Sequence, residues 1–173
     1  LTTDPVADAD EALSRAIAAF TEFSEVFGPY PHEGAYLLWV RDDGGHSMEY
    51  DGATLTEMSV IEHEVLHSWL GRGVSPVADR YGWVDEAFTS WATDFFPYRA
   101  VAIDFSSAPK ALQTGADEWS GAHIGLENYF YGSALPAHLA DRHGVDALTE
   151  ALGAFVEERA GRAYRAEDLE EHL

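Results

Sequence analysis

The segment HEVLH, residues 63–67, holds the side chains of this chain that are best suited to catalysis. On an α-helix, His63 and His67 point from the same face about one turn apart, so both imidazoles can bind one ion. Glu86 follows nineteen positions after His67, a gap that fits the end of one helix, a turn and a second helix. Two imidazoles and a carboxylate leave one position of a tetrahedral zinc ion open, as in catalytic sites. The spacing therefore predicts one zinc ion per chain, bound by His63, His67 and Glu86.

Glu64 directly follows the first predicted ligand, so its carboxylate lies beside the ion. Zinc lowers the pKa of a bound water molecule to about 7, which makes hydroxide available at neutral pH. A neighbouring carboxylate can accept the proton of that water and return it to a leaving amine. The sequence therefore predicts a zinc hydrolase in which Glu64 is the general base.

Further residues are candidates for supporting roles around this centre. An oxyanion needs a hydrogen-bond donor, and Tyr129 and Tyr131 both open a predicted helix well downstream of the ligands. Metal ligands are usually oriented by a second layer of hydrogen bonds. Asp85, Ser90 and Asp94 lie close enough to Glu86 in sequence for that role, and the sequence does not choose among them.

Composition restricts the class of protein and of partner. The chain has 173 residues, of which 46% are hydrophobic, and it contains no cysteine. This length predicts one globular domain over residues 1–173, whose metal ligands are imidazoles and carboxylates. The formal net charge is −21, which disfavours nucleic acid and anionic membrane surfaces as partners. No apolar run reaches the length of a membrane-spanning helix or forms a signal segment.

The first half of the chain predicts one helix and two strands. Apolar residues keep a helical period over residues 7–27, between an Asp-Pro and a Gly-Pro pair. Residues 35–40 form a short apolar run that predicts a buried strand, and residues 47–51 predict an edge strand. The ligands then follow on separate helices.

The two ligand-bearing helices are predicted at residues 54–70 and 84–96. Thr54 and Glu57 have the spacing of a capping box at the start of the first of them. The remaining elements are a loop at 104–122 and helices at 128–142, 145–160 and 166–173. This order predicts an α+β fold, with a small mixed sheet followed by a mostly helical C-terminal part.

Four motifs resemble those of one enzyme family. The segments IEHEVLHSWLG (61–71) and GWVDEAF (82–88) resemble the catalytic domain of gluzincin aminopeptidases, the family of aminopeptidase N and leukotriene-epoxide hydrolase. The segment SMEY (47–50) resembles the Gly-x-Met-Glu-Asn motif of that family, and YFYG (129–132) resembles its Tyr-x-Lys-Gly motif. The resemblance implies a thermolysin-like α+β catalytic domain with the zinc ligands and the base given above.

The resemblance also implies two roles that the spacing alone does not give. Tyr129 would stabilise the tetrahedral intermediate, and Glu49 would anchor the free amino group of the substrate. Tyr50 stands where the family has Asn, and His46 stands where it has Gly. We further expect a catalytic domain without the flanking domains of the family, whose more open cleft admits internal segments of a chain.

These observations together predict a zinc metallopeptidase, most simply an aminopeptidase, that acts on peptides or proteins. One alternative is an endopeptidase that uses the same site. Another is a non-catalytic zinc-binding domain derived from a peptidase. Blocking the substrate's amino group distinguishes an aminopeptidase from an endopeptidase. Changing Glu64 to Gln distinguishes a catalytic domain from one that only binds zinc.

Overall fold

The computed structural model describes residues 9–41, 44–78, 82–93 and 132–173 of the chain. Its first element is helix α1, Ala9–Phe27, which confirms the helix predicted from periodicity. Gly28, with φ of 85°, follows the last helical residue in the left-handed region that favours glycine. The buried side chains of α1 recur every three or four residues along one face: Ala12, Ala16, Ala19, Phe23 and Phe27.

A three-stranded mixed sheet follows α1. Its strands are β1, Leu37–Arg41, β2, Met48–Tyr50, and β3, Ala53–Glu57, in the spatial order β1-β3-β2. The central strand β3 is parallel to β1 and antiparallel to β2. The strands predicted at 35–40 and 47–51 are thus confirmed, with ends that differ by one or two residues.

The helix predicted over residues 54–70 is wrong in its first seven residues. Residues 53–57 form strand β3, residues Met58–Val60 form one turn of 3₁₀-helix, and helix α2 is Ile61–Leu70. Thr54 and Thr56 are 2% and 0% exposed, because alternate residues of β3 face α2. The Thr54 hydroxyl donates to the Met48 carbonyl at 3.0 Å and so does not form the expected capping box.

The second half of the described chain is mainly helical. Helix α3, Gly82–Ala92, bears Glu86 and begins two residues before the predicted start. Three later helices match the predicted ones within a few residues, and a two-residue strand pair that the sequence did not predict joins this half to the end of α2. These elements are β4 (Ser75–Pro76), α4 (Gly132–His143), α5 (Val145–Arg159), β5 (Ala163–Tyr164) and α6 (Ala166–Glu170). The loop predicted at 104–122 lies outside the described residues.

Trp69 is the centre of the aromatic core between α1 and α2. Its side chain is fully buried, and its indole Nε1–H donates to the Gly28 carbonyl oxygen at 2.9 Å. The rings of Phe20, Phe23 and Tyr30 surround it at centroid distances of 5.7, 6.0 and 5.9 Å. Because Trp69 follows His67 by two residues, this packing fixes the C-terminal end of the ligand-bearing helix.

The two faces of the sheet differ in character. The outer face carries apolar side chains in two cross-strand rows, Leu37–Ala53–Tyr50 and Trp39–Leu55–Met48. Several of them are exposed, Leu37 by 61% and Trp39 by 52%. The middle residue of β2, Glu49, belongs to the opposite face, and β2 and β3 both contact α2. This inner face is the one that contributes to the ligand region.

Within the described part of the chain, no helix combines the length and the apolar character needed to cross a membrane.

We expect Trp69→Phe to destabilise the fold by about 1–3 kcal/mol, because the fully buried Trp69 ring is reduced in size and its hydrogen bond to the half-buried Gly28 carbonyl is lost. Trp39→Phe makes a similar change at a half-exposed position of the outer sheet face, and we expect it to alter stability by no more than about 0.5 kcal/mol. Urea titrations of both variants measure the free energy of unfolding. Equal stability of the two variants would contradict the central role of Trp69 in the core.

Candidate metal centre

Helix α2 carries both histidines into the interior. Every residue from Ile61 to Leu70 except Glu62 is buried, so the helix runs through the core rather than along its surface. His63 is 3% exposed and His67 is 1% exposed. Their ring centroids are 4.7 Å apart and their Nε2 atoms are 3.1 Å apart, as expected for side chains one turn apart on the same face. Both imidazoles therefore point to the same location.

Helix α3 brings the carboxylate of Glu86 to that location. Its Oε2 lies 3.3 Å from Nε2 of His63 and 3.5 Å from Nε2 of His67. The Glu86 side chain is 16% exposed. The structure thus brings together the three residues that the sequence predicted as zinc ligands, and their donor atoms form a nearly equilateral triangle.

The triangle has the dimensions of a zinc site. Ligand atoms about 2.0–2.1 Å from a tetrahedrally coordinated zinc ion lie about 3.3–3.4 Å from each other. The three observed separations, 3.1, 3.3 and 3.5 Å, scatter about that value. Two imidazole nitrogens and one carboxylate oxygen are also a donor set that zinc commonly takes. The residues present therefore fit a zinc ion.

The charges around the triangle favour a cation. Burial acts to raise the pKa of Glu86, but the positive charge of His67 and a hydrogen bond with His63 lower it below its usual range. Burial acts to lower the pKa of His67, but Asp85 and Glu86 raise it well above its usual value. Burial lowers the pKa of His63, which keeps that ring neutral and able to bind a metal. A metal ion that binds here would take the place of a proton on Nε2 of His67.

Asp85 orients the second histidine. Its Oδ1 accepts a hydrogen bond from Nδ1–H of His67 at 2.7 Å. This bond places the proton on Nδ1 and leaves the lone pair of Nε2 directed at the triangle, an arrangement common around protein metal ions. The Thr89 hydroxyl lies 3.4 Å from the same oxygen of Asp85. Of the three residues considered for this role, Asp85 is the one with a described contact to a ligand.

Gly71 makes room for the Asp85 carboxylate. A Cβ atom at Gly71 would overlap this carboxylate, with its Cγ only 2.6 Å away. The glycine therefore allows α3 to approach the C-terminal end of α2 closely. In the sequence, Gly71 has the position of a helix terminator, and that signal does not predict its contact with Asp85.

Glu64 is buried beside the ligands, with 6% of its surface exposed. Its Oε2 has no hydrogen-bond partner within the described ranges. Burial raises the pKa of Glu64 to about 8; the neighbouring His67 lowers it and the negative charge of Glu49 raises it. A carboxylate with this pKa can both accept and release a proton near neutral pH.

Glu49 reaches the region from strand β2. One of its carboxylate oxygens lies within 4.8 Å of a ring nitrogen of His67 and of a carboxylate oxygen of Asp85. Its Oε1 also accepts a hydrogen bond from Arg72 at 3.0 Å, a contact that the sequence analysis missed. The two residues are far apart in the chain, and no motif links them.

The other candidates differ in what can be said of them. The Ser90 side chain is buried, and its hydroxyl has no hydrogen-bond partner among the residues that the structure describes. Asp94, Tyr129 and Tyr131 lie outside the described residues. The roles predicted for these three therefore stay predictions.

Comparison with known proteins shows that this fold is similar to that of zinc metallopeptidases. No protein-family model matches the sequence. The sequence is 24% identical to aminopeptidase M1-A of Oryza sativa subsp. japonica, over 91% of this chain and 22% of that protein. The chain thus spans about a fifth of the length of this curated relative.

Solved structures give the clearer likeness. An M1 zinc metallopeptidase from Deinococcus radiodurans superposes with a TM-score of 0.71 at 21% identity, over 99% of this chain and 42% of that one. A variant of a two-domain M1 zinc metallopeptidase bound to L-arginine gives a TM-score of 0.70 at 19% identity, over 97% of this chain and 41% of that one. With a small mixed sheet followed by helices, the chain has the α+β fold of gluzincin, aminopeptidase N-like peptidase domains.

Proposed function

We propose that this chain is the catalytic domain of a zinc metallopeptidase of aminopeptidase type. The observation that carries the proposal is the triangle of His63 Nε2, His67 Nε2 and Glu86 Oε2, whose edges measure 3.1–3.5 Å. The names of the similar proteins, an aminopeptidase and M1 zinc metallopeptidases, support the same class of reaction. Peptides or proteins are accordingly the proposed substrates.

His63, His67 and Glu86 would hold the metal, and Asp85 would keep the His67 ring in the orientation that directs Nε2 at it. When bound at a site with an open position, zinc acidifies a water molecule and polarises the carbonyl of the scissile bond. The buried hydrogen bond from His67 to Asp85, 2.7 Å long, supports this division of roles.

Glu64 is the proposed general base and acid. Its Oε2 accepts the proton of the attacking water and later donates it to the nitrogen of the leaving amine. Two observations support this role: the carboxylate is buried next to the ligands, and burial raises its pKa to about 8.

Two further roles rest on the family resemblance. The hydroxyl of Tyr129 is proposed to donate a hydrogen bond to the oxyanion, with Tyr131 as the alternative donor. Glu49 is proposed to bind the cationic amino group of the substrate. Its carboxylate oxygen, within 4.8 Å of His67 and Asp85 atoms, supports the second role, because an amino group bound there lies next to the metal ligands.

We expect Glu64→Gln to retain zinc and to lose hydrolysis of an aminoacyl-arylamide by about a hundredfold or more, because glutamine cannot accept the proton. Glu62→Gln is the matched control, since Glu62 is on the same helix but pairs with Arg15 of α1. Removal of zinc with a chelator should abolish the activity of the parent protein, and added zinc should restore it. Equal turnover by the two variants would favour a non-catalytic zinc-binding domain.

We expect Asp85→Asn to raise the dissociation constant for zinc by about tenfold, because the neutral amide no longer holds the proton on His67 Nδ1 as strongly. Asp51→Asn removes the same charge at an exposed position of the turn between β2 and β3 and serves as the control. Competition with a chromophoric chelator measures both constants. Identical zinc affinities would show that Asp85 does not orient the ligand.

We expect acetylation of the substrate's amino group to abolish turnover, because the blocked nitrogen carries no charge for Glu49 to bind. The measurement compares kcat/KM for a short peptide and for its N-acetylated form with the zinc-loaded protein. Comparable kcat/KM values for the two peptides would contradict the aminopeptidase and favour an endopeptidase that uses the same site.

A further inference from the structure

Arg72 donates two hydrogen bonds to Glu49. It lies two residues after the last residue of α2. Its Nη2 donates to the Glu49 side-chain Oε1 at 3.0 Å and to the Glu49 backbone carbonyl at 3.1 Å. The Arg72 side chain is 37% exposed, whereas that of Glu49 is 17% exposed. The two contacts connect the loop after the ligand-bearing helix to the middle of strand β2.

Glu49 lies close to other carboxylates, and the positive charge of Arg72 offsets the repulsion between them. A carboxylate oxygen of Glu49 lies within 4.8 Å of one of Asp85. Besides burial, the negative charge of Glu49 raises the pKa of Glu64 and of Asp85. Like charges this close repel each other in a poorly solvated region. A guanidinium remains charged at all relevant pH values, so it offsets this repulsion permanently. Without the guanidinium of Arg72, the Glu49 side chain would reduce this repulsion by turning towards solvent.

We propose that Arg72 is a positioning residue for substrate recognition: by holding Oε1 and the backbone carbonyl of Glu49, it keeps the Glu49 carboxylate beside the metal ligands for the substrate's ammonium group. This inference rests on the proposed function, in which Glu49 binds that group. It extends the amine-binding part of the site to the loop after α2, through a residue that touches neither substrate nor metal.

The test uses two probes that differ only at the amino group, L-leucine hydroxamate and N-acetyl-L-leucine hydroxamate. Both bind zinc through the hydroxamate, so the ratio of their dissociation constants reports recognition of the free amine. We expect Arg72→Met to reduce the preference for the free amine by about tenfold, the effect of one lost charge-assisted hydrogen bond. Zinc content and affinity for the acetylated probe should stay unchanged.

Two further variants separate positioning from general damage. Arg72→Lys should keep part of the preference, because both contacts use one nitrogen of Arg72 and an ammonium group can donate to the same two oxygens. Arg159→Met removes an arginine whose ion pairs are with Glu158 and Asp168, and it should leave the preference unchanged. A change in kcat for a free-amine substrate smaller than the change in KM would support the same role.

The inference is overturned if Arg72→Met keeps the parent preference within about twofold, or increases it, since an increase means that Arg72 competes with the amine. A parent protein that binds both probes equally also overturns it, while chelator-sensitive hydrolysis would still support the peptidase. A crystal structure of Arg72→Met decides independently of any activity. In that structure we expect the Glu49 carboxylate to have moved away from His67 and Asp85. A carboxylate that has not moved would contradict the positioning role.

Discussion

Two imidazoles and a carboxylate, buried with their donor atoms 3.1–3.5 Å apart, are the constraint on which the rest of this structure depends. Burying ionisable groups together is costly unless they are paired or bind a metal. Helix α2 is buried on nearly all sides so that His63 and His67 face inward, and α3 lies close enough to supply Glu86. A divalent cation, as we propose, would satisfy all three donors at once.

The surrounding residues are arranged to keep these donors in place. Asp85 fixes the ring of His67, and Gly71 has no side chain that would push Asp85 away. Trp69 locks the end of α2 against α1 through its ring contacts and its bond to the Gly28 carbonyl. These residues are thus held by helices that pack tightly, which is what precise placement of the proposed base and metal requires.

Sequence reasoning predicted that His63, His67 and Glu86 lie together, because the geometry that relates them is local. Four positions on one helix fix the relation of His63 to His67, and one connection fixes the return of Glu86. It failed at Thr54, where the spacing of a capping box outweighed the alternation of β-branched residues that indicates a strand. The hydrogen bonds from His67 to Asp85 and from Arg72 to Glu49 depend on how helices and strands pack against each other. Neither follows from a local pattern, so Asp85 was one candidate of three and Arg72 was missed.

The most direct test of the zinc centre is an anomalous difference map at the zinc edge, from crystals of protein purified without chelator. The account predicts one peak per chain, about 2.0–2.2 Å from Nε2 of His63, Nε2 of His67 and a carboxylate oxygen of Glu86. A map without a peak there, or a Glu86 side chain turned away from the two histidines, would contradict it.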